Sequence, residues 1–133
     1  GVRPLINSEI ISANIEQVKK TGNAITTSPT IETFVVVDDN MIVQEVPERK
    51  HSRLAKAPQS FVLKDILEAH NRALENNITN SIDSCTLMSQ YGHNLTLVEG
   101  PIENIKITTP TDYFMFRAIV ESRENSQIFG DWL

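Results

Sequence analysis

The stretch from Leu97 to Ile119, LVEGPIENIKITTPTDYFMFRAI, contains the clearest succession of structural signals in the chain. Its first residues favour a strand, which ends at Gly100-Pro101. Further on, Ile105 and Ile107 flank Lys106 with period-2 alternation. This alternation predicts a second strand, with the two isoleucines on one face and the lysine on the other.

A helix is predicted to follow this second strand. Thr109 can act as its N-cap, Pro110 fits the first helical position, and Asp112 occupies the place of the acid in a capping box. Lys106 would then lie just before a helix N-terminus, where backbone N–H groups and the helix dipole attract anions. Lys106 is therefore a candidate phosphate contact, and an ordinary solvent-exposed lysine is the alternative.

Length and composition restrict the class of protein. The chain has 133 residues, enough for one modest domain, and a net charge of −5 with scattered basic residues, which argues against nucleic-acid binding. The sequence contains no run of about 18 apolar residues, so we expect no membrane span. Cys85 is the only cysteine, which excludes an internal disulfide and indicates a reducing, cytoplasmic location. The histidines share no ligand spacing, so no zinc site is predicted.

Three predicted helices carry apolar stripes that we expect to be buried. The first helix runs roughly from Ser8 to Lys20, and its stripe consists of Ile11, Ile15 and Val18. The second helix follows Phe61, and its stripe consists of Leu63, Ile66, Leu67, His70 and Leu74. The last helix runs from Pro110 to about Asn125 and is expected to bury Phe114, Ala118 and Ile119 or Val120. After it, the tail Ile128-Phe129-Gly130-Asp131-Trp132-Leu133 is apolar enough to dock.

Two β-branched runs on either side of Asp38-Asp39-Asn40 predict a hairpin, formed by Glu32 to Val37 and Met41 to Val46. Both faces of this ribbon are apolar, so we expect it to pack on another subunit or domain. The basic segment after it contains Arg49, whose guanidinium can bind a phosphate through two hydrogen bonds. A solvated loop is the alternative for this segment.

Strands are also predicted from Asn23 to Ser28 and from Leu54 to Ala57, and Ser81 or Asp83 can cap a short helix between the second helix and Gly92. Strands thus alternate with helices around the hairpin, which predicts an α/β fold with a mixed sheet. The sequence contains no Ser/His/Asp triad, Walker loop or GxGxxG motif. The residues alone therefore predict an α/β domain with a candidate anion site at Lys106 and Arg49.

An ordered set of segments extends along the chain: Val2-Arg3-Pro4, Pro29-Thr30-Ile31-Glu32-Thr33, Glu48-Arg49, Ala57-Pro58-Gln59-Ser60-Phe61, Asp83, Leu97-Val98-Glu99-Gly100 and Asn104-Ile105-Lys106-Ile107-Thr108. These segments resemble the C-terminal half of the 2-C-methyl-D-erythritol 4-phosphate cytidylyltransferase family, which includes the ribitol-5-phosphate cytidylyltransferases of teichoic acid and capsule synthesis. Together they cover almost the whole chain, from Val2 to about Ile119. The blocks PQSF and LVEG…NIKIT are the most specific.

This resemblance implies a transferase that joins a polyol phosphate to CTP and releases pyrophosphate. The implied fold is a Rossmann-like mixed sheet with a protruding β-hairpin arm at about residues 29–55. The family enzymes are magnesium-dependent homodimers in which the arm reaches the partner's polyol-phosphate site. Residues 1–133 would form the C-terminal part of a single cytidylyltransferase domain.

The resemblance also implies roles for particular residues. Lys106 and Arg3 match catalytic positions: Lys106 a family lysine near the substrate phosphate, and Arg3 the arginine of a D-x-x-R-P motif. Thr33 and Arg49 match arm residues that bind the polyol phosphate of the other subunit. Asp83 and Ala57 match further substrate-binding positions.

Two departures from the family pattern qualify the prediction. The N-terminal CTP-binding half, with its Gly-rich loop and the aspartate that binds Mg²⁺, is absent, so this chain alone is expected to be inactive. Ala57 and Ile82 stand where the methylerythritol branch usually carries threonine, and Asp83-Ser84-Cys85 resembles the ribitol branch. Ribitol 5-phosphate is therefore the predicted substrate and 2-C-methyl-D-erythritol 4-phosphate the alternative. A non-catalytic dimerisation module and a plain anion-binding domain are alternatives of another class.

Overall fold

A computed structural model describes residues 2–80 and 83–129. Ser81, Ile82 and residues 130–133 lie outside the described residues, so the predicted cap at Ser81 and the predicted docking of the tail are not among the observations. The described residues divide into two compact units. The sheet unit comprises Asn7–Gly100, and the terminal unit comprises residues 2–6 and 101–129. That residues 1–133 belong to one domain stays a prediction.

The sheet unit contains three helices and five strands among its described residues. In chain order they are α1 (Ser8–Thr21), β1 (Asn23–Pro29), β2 (Val36–Val37), β3 (Val43–Glu45), β4 (Arg53–Phe61), α2 (Leu63–Glu75), α3 (Ser84–Gln90) and β5 (Leu97–Glu99). A short 3₁₀ helix, Arg49–His51, precedes β4. The terminal unit contains α4 (Pro110–Phe129). No described helix has both the length and the hydrophobicity that crossing a membrane requires.

The main sheet has the strand order β4-β1-β5. Strand β1 is antiparallel to β4 and parallel to β5, which confirms the predicted α/β fold with a mixed sheet. Strand β4 is longer than predicted, because it continues past Pro58 to Phe61. Both ends of β4 pair with β1, and Pro58 falls where the register shifts, a place that requires no ladder hydrogen bond from proline.

Helix α1 covers the sheet as predicted, but with a different face. Ile11 and Ile15 are 46% and 50% exposed, whereas Ile10 and Asn14 are buried. The Asn14 amide donates to the Ile10 carbonyl at 3.0 Å and to Thr26 Oγ1 at 2.8 Å, and its oxygen accepts from Ser60 at 3.0 Å. Of the predicted stripe, Val18 is half-buried, and the burial of Ile11 and Ile15 was wrong, because an asparagine whose hydrogen bonds are satisfied can be buried in place of an apolar side chain.

Helix α2 buries a face that shares only Ile66 with the predicted stripe, since Ile66 is half-buried and packs against the core. Leu63, Leu67 and Leu74 are exposed, and so is His70, whereas Ala69 and Ala73 pack on Leu87 and Met88 of α3. Small side chains allow two helices to approach closely, so the alanines and not the leucines form the contact with α3. The predicted cap of α3 is confirmed, since Asp83 Oδ1 accepts from the Thr86 N–H at 2.8 Å.

The predicted hairpin is confirmed, with shorter strands than expected. Strands β2 and β3 pair antiparallel. Asp38 accepts the N–H groups of Asn40 and Ile42 at 2.9 and 3.0 Å, so the turn occupies residues that the sequence pattern assigned to strands. The hairpin and its flanks, residues 31–52, are called the arm below. Its apolar side chains are exposed, namely Ile31, Phe34, Val35, Val36, Val37, Met41, Ile42, Val43 and Val46.

The terminal unit differs from prediction at two places. The segment 101–109 is irregular, so the strand predicted around Lys106 was wrong, although Ile105 and Ile107 are half-buried and Lys106 is exposed, as the alternation required. The Ile107 N–H donates to the Val2 carbonyl at 2.7 Å, and this single bond does not make a ladder.

Helix α4 extends four residues beyond the predicted end at Asn125, because no glycine or proline interrupts it before Phe129. Phe114 is 62% exposed and Ala118 is also exposed, so their predicted burial was wrong. Phe116, Ile119 and Val120 are half-buried and follow the spacing i, i+3, i+4. The inner face of α4 is therefore rotated away from the predicted one, while Ile119 and Val120 lie on it as expected.

Candidate functional site

Two predicted site residues, Thr33 and Arg49, belong to the arm and lie on its two opposite sides. Thr33 is exposed, and Arg49 is exposed at the start of the 3₁₀ helix. Arg49 Nη1 donates to the Ile31 carbonyl at 3.3 Å. This hydrogen bond connects the two sides of the arm at a point two residues before Thr33. Ser52, directly after the 3₁₀ helix, is buried, and its hydroxyl donates to the Glu48 carbonyl at 2.9 Å, directly before that helix. This hydrogen bond stabilises the 3₁₀ helix. The arm thus presents one guanidinium and one hydroxyl to solvent.

The second pair of predicted site residues, Ala57 and Asp83, is connected through Gln59. Ala57 is half-buried on β4 and precedes a cis peptide bond to Pro58. Gln59 lies two residues further along β4, past the shift in its register with β1. Its amide nitrogen donates to Asp83 Oδ2 at 3.4 Å, and its oxygen accepts from the Cys85 N–H at 2.9 Å. The side chain of Gln59 therefore joins β4 to the beginning of α3.

Asp83 is held as a charged carboxylate. Partial burial opposes the charge and acts to raise the pKa of Asp83, but hydrogen bonds from Thr86 and Gln59 outweigh that effect, so the pKa lies below its ordinary value. The neighbouring Cys85 thiol responds in the opposite way, because burial and the charge of Asp83 both raise its pKa. Asp83 can accept hydrogen bonds at neutral pH, and Cys85 is not disposed to react as a thiolate.

The third pair, Arg3 and Lys106, belongs to the terminal unit. The Arg3 guanidinium donates to the Asn104 carbonyl at 2.7 Å, and partial burial lowers the pKa of Arg3 from its ordinary value. Arg3 therefore fixes the backbone two residues before Lys106. The Lys106 ammonium is exposed, and among residues 2–80 and 83–129 no carboxylate lies within ion-pair distance of it.

The N-terminus of α4 is capped by the residues that the sequence predicted, Thr109 and Asp112. The Asp112 carboxylate accepts the N–H groups of Thr108 and Thr109 at 3.0 and 2.8 Å and the Thr108 hydroxyl at 2.9 Å. These hydrogen bonds, led by the one from the Thr108 backbone, lower the pKa of Asp112 to about 2. The Asp112 carboxylate therefore places a negative charge at the start of α4, which opposes the binding of another anion there, and the phosphate contact of Lys106 stays a prediction.

This cap predicts a low titration midpoint for Asp112. The carboxyl carbon of Asp112, followed by NMR as pH is lowered, should titrate near a pKa of about 2. Because folding lowers the pKa of Asp112, its ionised carboxylate stabilises the folded state fully at pH values above the ordinary pKa of aspartate. This stabilisation is lost as the pH falls towards the lowered pKa of the folded state. Thr108→Val removes one of the hydrogen bonds and should raise the midpoint. A wild-type midpoint at the ordinary value of 3.8 would contradict the cap.

Two features near the end of β5 were not predicted from the sequence. Arg53, the first residue of β4, forms an ion pair with Glu99 and donates from Nε to Thr27 Oγ1 at 3.3 Å. The second feature is Gly100, the residue directly after β5. A Cβ atom on Gly100 would lie 2.7 Å from Thr26 Cγ2, so the backbone at the end of β5 is too close to β1 for any side chain at this position. Nothing in the spacing of these residues along the sequence indicates the contacts, because each joins separate strands.

The described part of the chain contains no group of three or more His, Cys, Asp or Glu side chains arranged to bind a metal ion. The residues present therefore do not form a magnesium site by themselves. The expectation that the metal ligand is supplied from upstream of residue 1 stays a prediction.

Comparison with known proteins identifies the family. Residues 1–122 match the sequence profile of the 2-C-methyl-D-erythritol 4-phosphate cytidylyltransferase (IspD) family. The chain is 58% identical over 130 residues to a ribitol-5-phosphate cytidylyltransferase of Vibrio parahaemolyticus, covering 98% of this chain and 55% of that protein. It is 33% identical over 127 residues to a 2-C-methyl-D-erythritol 4-phosphate cytidylyltransferase of Alkaliphilus oremlandii, covering 96% of this chain and 53% of that protein.

The fold agrees with this assignment. The crystal structure of 4-diphosphocytidyl-2C-methyl-D-erythritol synthase from Anaerococcus prevotii superposes with a TM-score of 0.81 at 27% identity, covering 90% of this chain and 55% of that one. The chain thus spans about half the length of the relatives that it matches. The chain belongs to the 2-C-methyl-D-erythritol 4-phosphate cytidylyltransferase family.

Proposed function

We propose that the full-length protein transfers CMP from CTP to ribitol 5-phosphate and releases pyrophosphate. The choice of ribitol 5-phosphate as the substrate is supported by a difference in sequence identity. The chain is 58% identical to a ribitol-5-phosphate cytidylyltransferase and 33% identical to a 2-C-methyl-D-erythritol 4-phosphate cytidylyltransferase. In this reaction a phosphate oxygen of the polyol phosphate attacks the α-phosphorus of CTP. A new P–O bond forms, the bond to the β-phosphate oxygen breaks, and pyrophosphate leaves with that bond's electron pair.

The main physical obstacle is charge repulsion between the two phosphate-bearing substrates. Fixed cations and correct positioning therefore dominate catalysis of such a reaction. Lys106 is the proposed catalytic cation, which contacts phosphate oxygen directly, and Arg3, which matches a catalytic position of the family, is proposed to hold the segment that carries Lys106. The proposed cofactor is Mg²⁺, which would neutralise triphosphate charge, with ligands outside the residues described.

The remaining predicted residues are proposed to bind the polyol phosphate. Arg49 would bind the phosphate and Thr33 would donate a hydrogen bond to it, both from the arm of the partner subunit. The exposed apolar side chains of the arm support association with a second subunit, since an isolated two-stranded ribbon gains little stability in water. Asp83 would accept hydrogen bonds from polyol hydroxyls, next to the methyl group of Ala57.

A second candidate substrate is 2-C-methyl-D-erythritol 4-phosphate. The family description and the relative of Alkaliphilus oremlandii favour it. Ala57 argues against it as far as the resemblance goes, because alanine offers no hydroxyl where that branch carries threonine. Ile82, the other such position, lies outside the described residues.

The test is an assay of CTP-dependent pyrophosphate release by the full-length protein, with the two polyol phosphates offered side by side. We expect kcat/KM for ribitol 5-phosphate to exceed that for the methylerythritol phosphate by at least about tenfold, the scale of discrimination that a few pocket contacts supply. Reactions without CTP serve as the control. The opposite preference would assign the methylerythritol substrate, and no release with either would favour a non-catalytic dimerisation module.

A further inference from the structure

The side-chain amide of Gln59 makes three hydrogen bonds that join two parts of the proposed substrate site. Its nitrogen donates to the Lys56 carbonyl at 3.2 Å and to Asp83 Oδ2 at 3.4 Å. Its oxygen accepts the backbone N–H of Cys85 at 2.9 Å. One end of the network is the strand that carries Ala57, and the other end is the first turn of α3.

The orientation of this amide follows from the chemistry of its neighbours. A backbone N–H can only donate, and a carboxylate and a carbonyl can only accept. The oxygen of Gln59 must therefore face Cys85, and its nitrogen must face Asp83 and Lys56. A flipped amide would break all three hydrogen bonds, so residue 59 needs a donor and an acceptor at specified positions.

This network also fixes the carboxylate of Asp83. Thr86 donates its N–H to Oδ1 at 2.8 Å, its side chain also hydrogen-bonds the carboxylate, and Gln59 donates to Oδ2 at 3.4 Å, so both oxygens are held. A carboxylate has about four acceptor positions, so about one remains for a ligand. Asp83 is thereby held in one orientation while it keeps the capacity to accept hydroxyl donors.

We propose that Gln59 is a positioning residue for polyol-phosphate binding: it holds the Asp83 carboxylate in the orientation in which its remaining acceptor position meets a hydroxyl of the substrate. This inference rests on the proposed function. It assigns to Gln59 an effect on the affinity for the polyol phosphate and none on the affinity for CTP. If Gln59 served only to connect α3 to β4, its substitution would not change the affinity for the polyol phosphate more than the affinity for CTP.

The first test compares Gln59→Ala with wild type in the full-length protein. The KM for ribitol 5-phosphate should rise about tenfold, since a hydrogen bond to a charged group typically contributes at least that factor. The KM for CTP should stay within about twofold. Gln90→Ala is the matched control, because Gln90 is an exposed glutamine at the end of α3. An equal rise in both KM values, or no rise with a lower melting temperature, would overturn the proposal.

The second test uses the charge of Gln59→Glu. This substitution places a carboxylate against Asp83, and like charges raise the pKa of one member of such a pair. At low pH the shared proton restores a donor towards Asp83, and as pH rises this donor is lost. The ratio of variant KM to wild-type KM for ribitol 5-phosphate should therefore increase from pH 5.5 to 8.5, about tenfold overall. Taking the ratio cancels the titration of the substrate phosphate. A ratio independent of pH would contradict the proposal.

Calorimetric binding of ribitol 5-phosphate separates this inference from the proposed function. If wild-type protein binds the polyol phosphate without turning it over, the proposed reaction fails, and the Kd of Gln59→Ala relative to wild type still tests the positioning role. A Kd raised about tenfold supports the role. An unchanged Kd, or wild-type protein that does not bind ribitol 5-phosphate, overturns it. Should Gln59→Ala fail to fold, Gln59→Glu carries the test, because it retains the acceptor for Cys85.

Discussion

Lys106→Ala in the full-length protein is expected to lower kcat/KM for CMP transfer by about 10²- to 10³-fold, the usual cost of removing one group that stabilises transition-state charge. Lys106 follows a backbone segment anchored by Arg3, and its neighbour Ile107 donates to the Val2 carbonyl at 2.7 Å. A flexible ammonium group is thus carried on a fixed backbone. Because the side chain is exposed, its removal should change the free energy of unfolding by no more than about 0.5 kcal/mol.

Lys64→Ala is the matched control for this experiment. Lys64 is also an exposed lysine, and it lies in the first turn of α2. The control removes one positive charge from the protein surface, so it measures any loss due to net charge alone. Lys106→Arg should retain part of the activity, because it keeps the charge but replaces a compact ammonium by a planar guanidinium. Equal activity of Lys106→Ala and Lys64→Ala would show that Lys106 is an ordinary surface lysine.

Mixing two inactive variants is expected to restore activity if the arm completes the site of the partner subunit. Arg49→Ala removes the proposed phosphate contact of the arm, and Lys106→Ala removes the proposed catalytic cation. In a heterodimer, the Lys106 of one subunit would meet the Arg49 of the other, so one of the two sites would be intact. Random exchange of subunits should then restore about a quarter of the wild-type activity.

The mixing experiment needs proof that heterodimers form. Two different affinity tags, purified in sequence, isolate them, and the isolated heterodimer should reach about half of the wild-type activity per dimer. Lys50→Ala is a suitable control variant, because Lys50 is the exposed cation next to Arg49 and is already paired with Glu48 at 2.8 Å. Heterodimers that form but stay inactive would place Arg49 and Lys106 in a site made by one subunit.

Local sequence patterns predicted the elements in their order, apart from the strand around Lys106, and most of the turns and caps. Asp83, Thr109 and Asp112 were recognised as capping residues because a cap depends on side chains and N–H groups within about three positions of one another. The hairpin turn at Asp38 was recognised for the same reason. Gly92 likewise has the positive φ of 83° that its place after α3 suggested.

The buried faces of the helices were predicted less well. An apolar stripe identifies an amphipathic helix, but the partner that the helix meets determines which side is buried. In α1 the partner is a strand that offers the Thr26 hydroxyl, which makes Asn14 a better buried residue than Ile15. In α2 the partner is α3, and close approach favours Ala69 and Ala73 over the leucines.

In the candidate site, too, some features could be predicted from local sequence and others depend on contacts between distant residues. Arg3, Thr33, Arg49, Ala57, Asp83 and Lys106 were found from the residues and the family resemblance, and their roles stay proposals. Gln59 had no signal of its own beyond its place in the PQSF block, because its function depends on Asp83, which lies 24 residues further along the chain. The hydrogen bonds of Asp112 at the start of α4 follow the predicted capping box, and the structure confirms them.

Family, element order and caps can therefore be read from the amino-acid sequence, because they depend on residue types at short and regular spacings. The tertiary structure alone establishes which helix faces are buried, that β4 continues past Pro58, that residues 105–107 form an irregular segment, and that Gln59 connects β4 to Asp83. The physical reason is that each of these depends on the free energy of a contact between distant parts of the chain, to which local periodicity contributes no information.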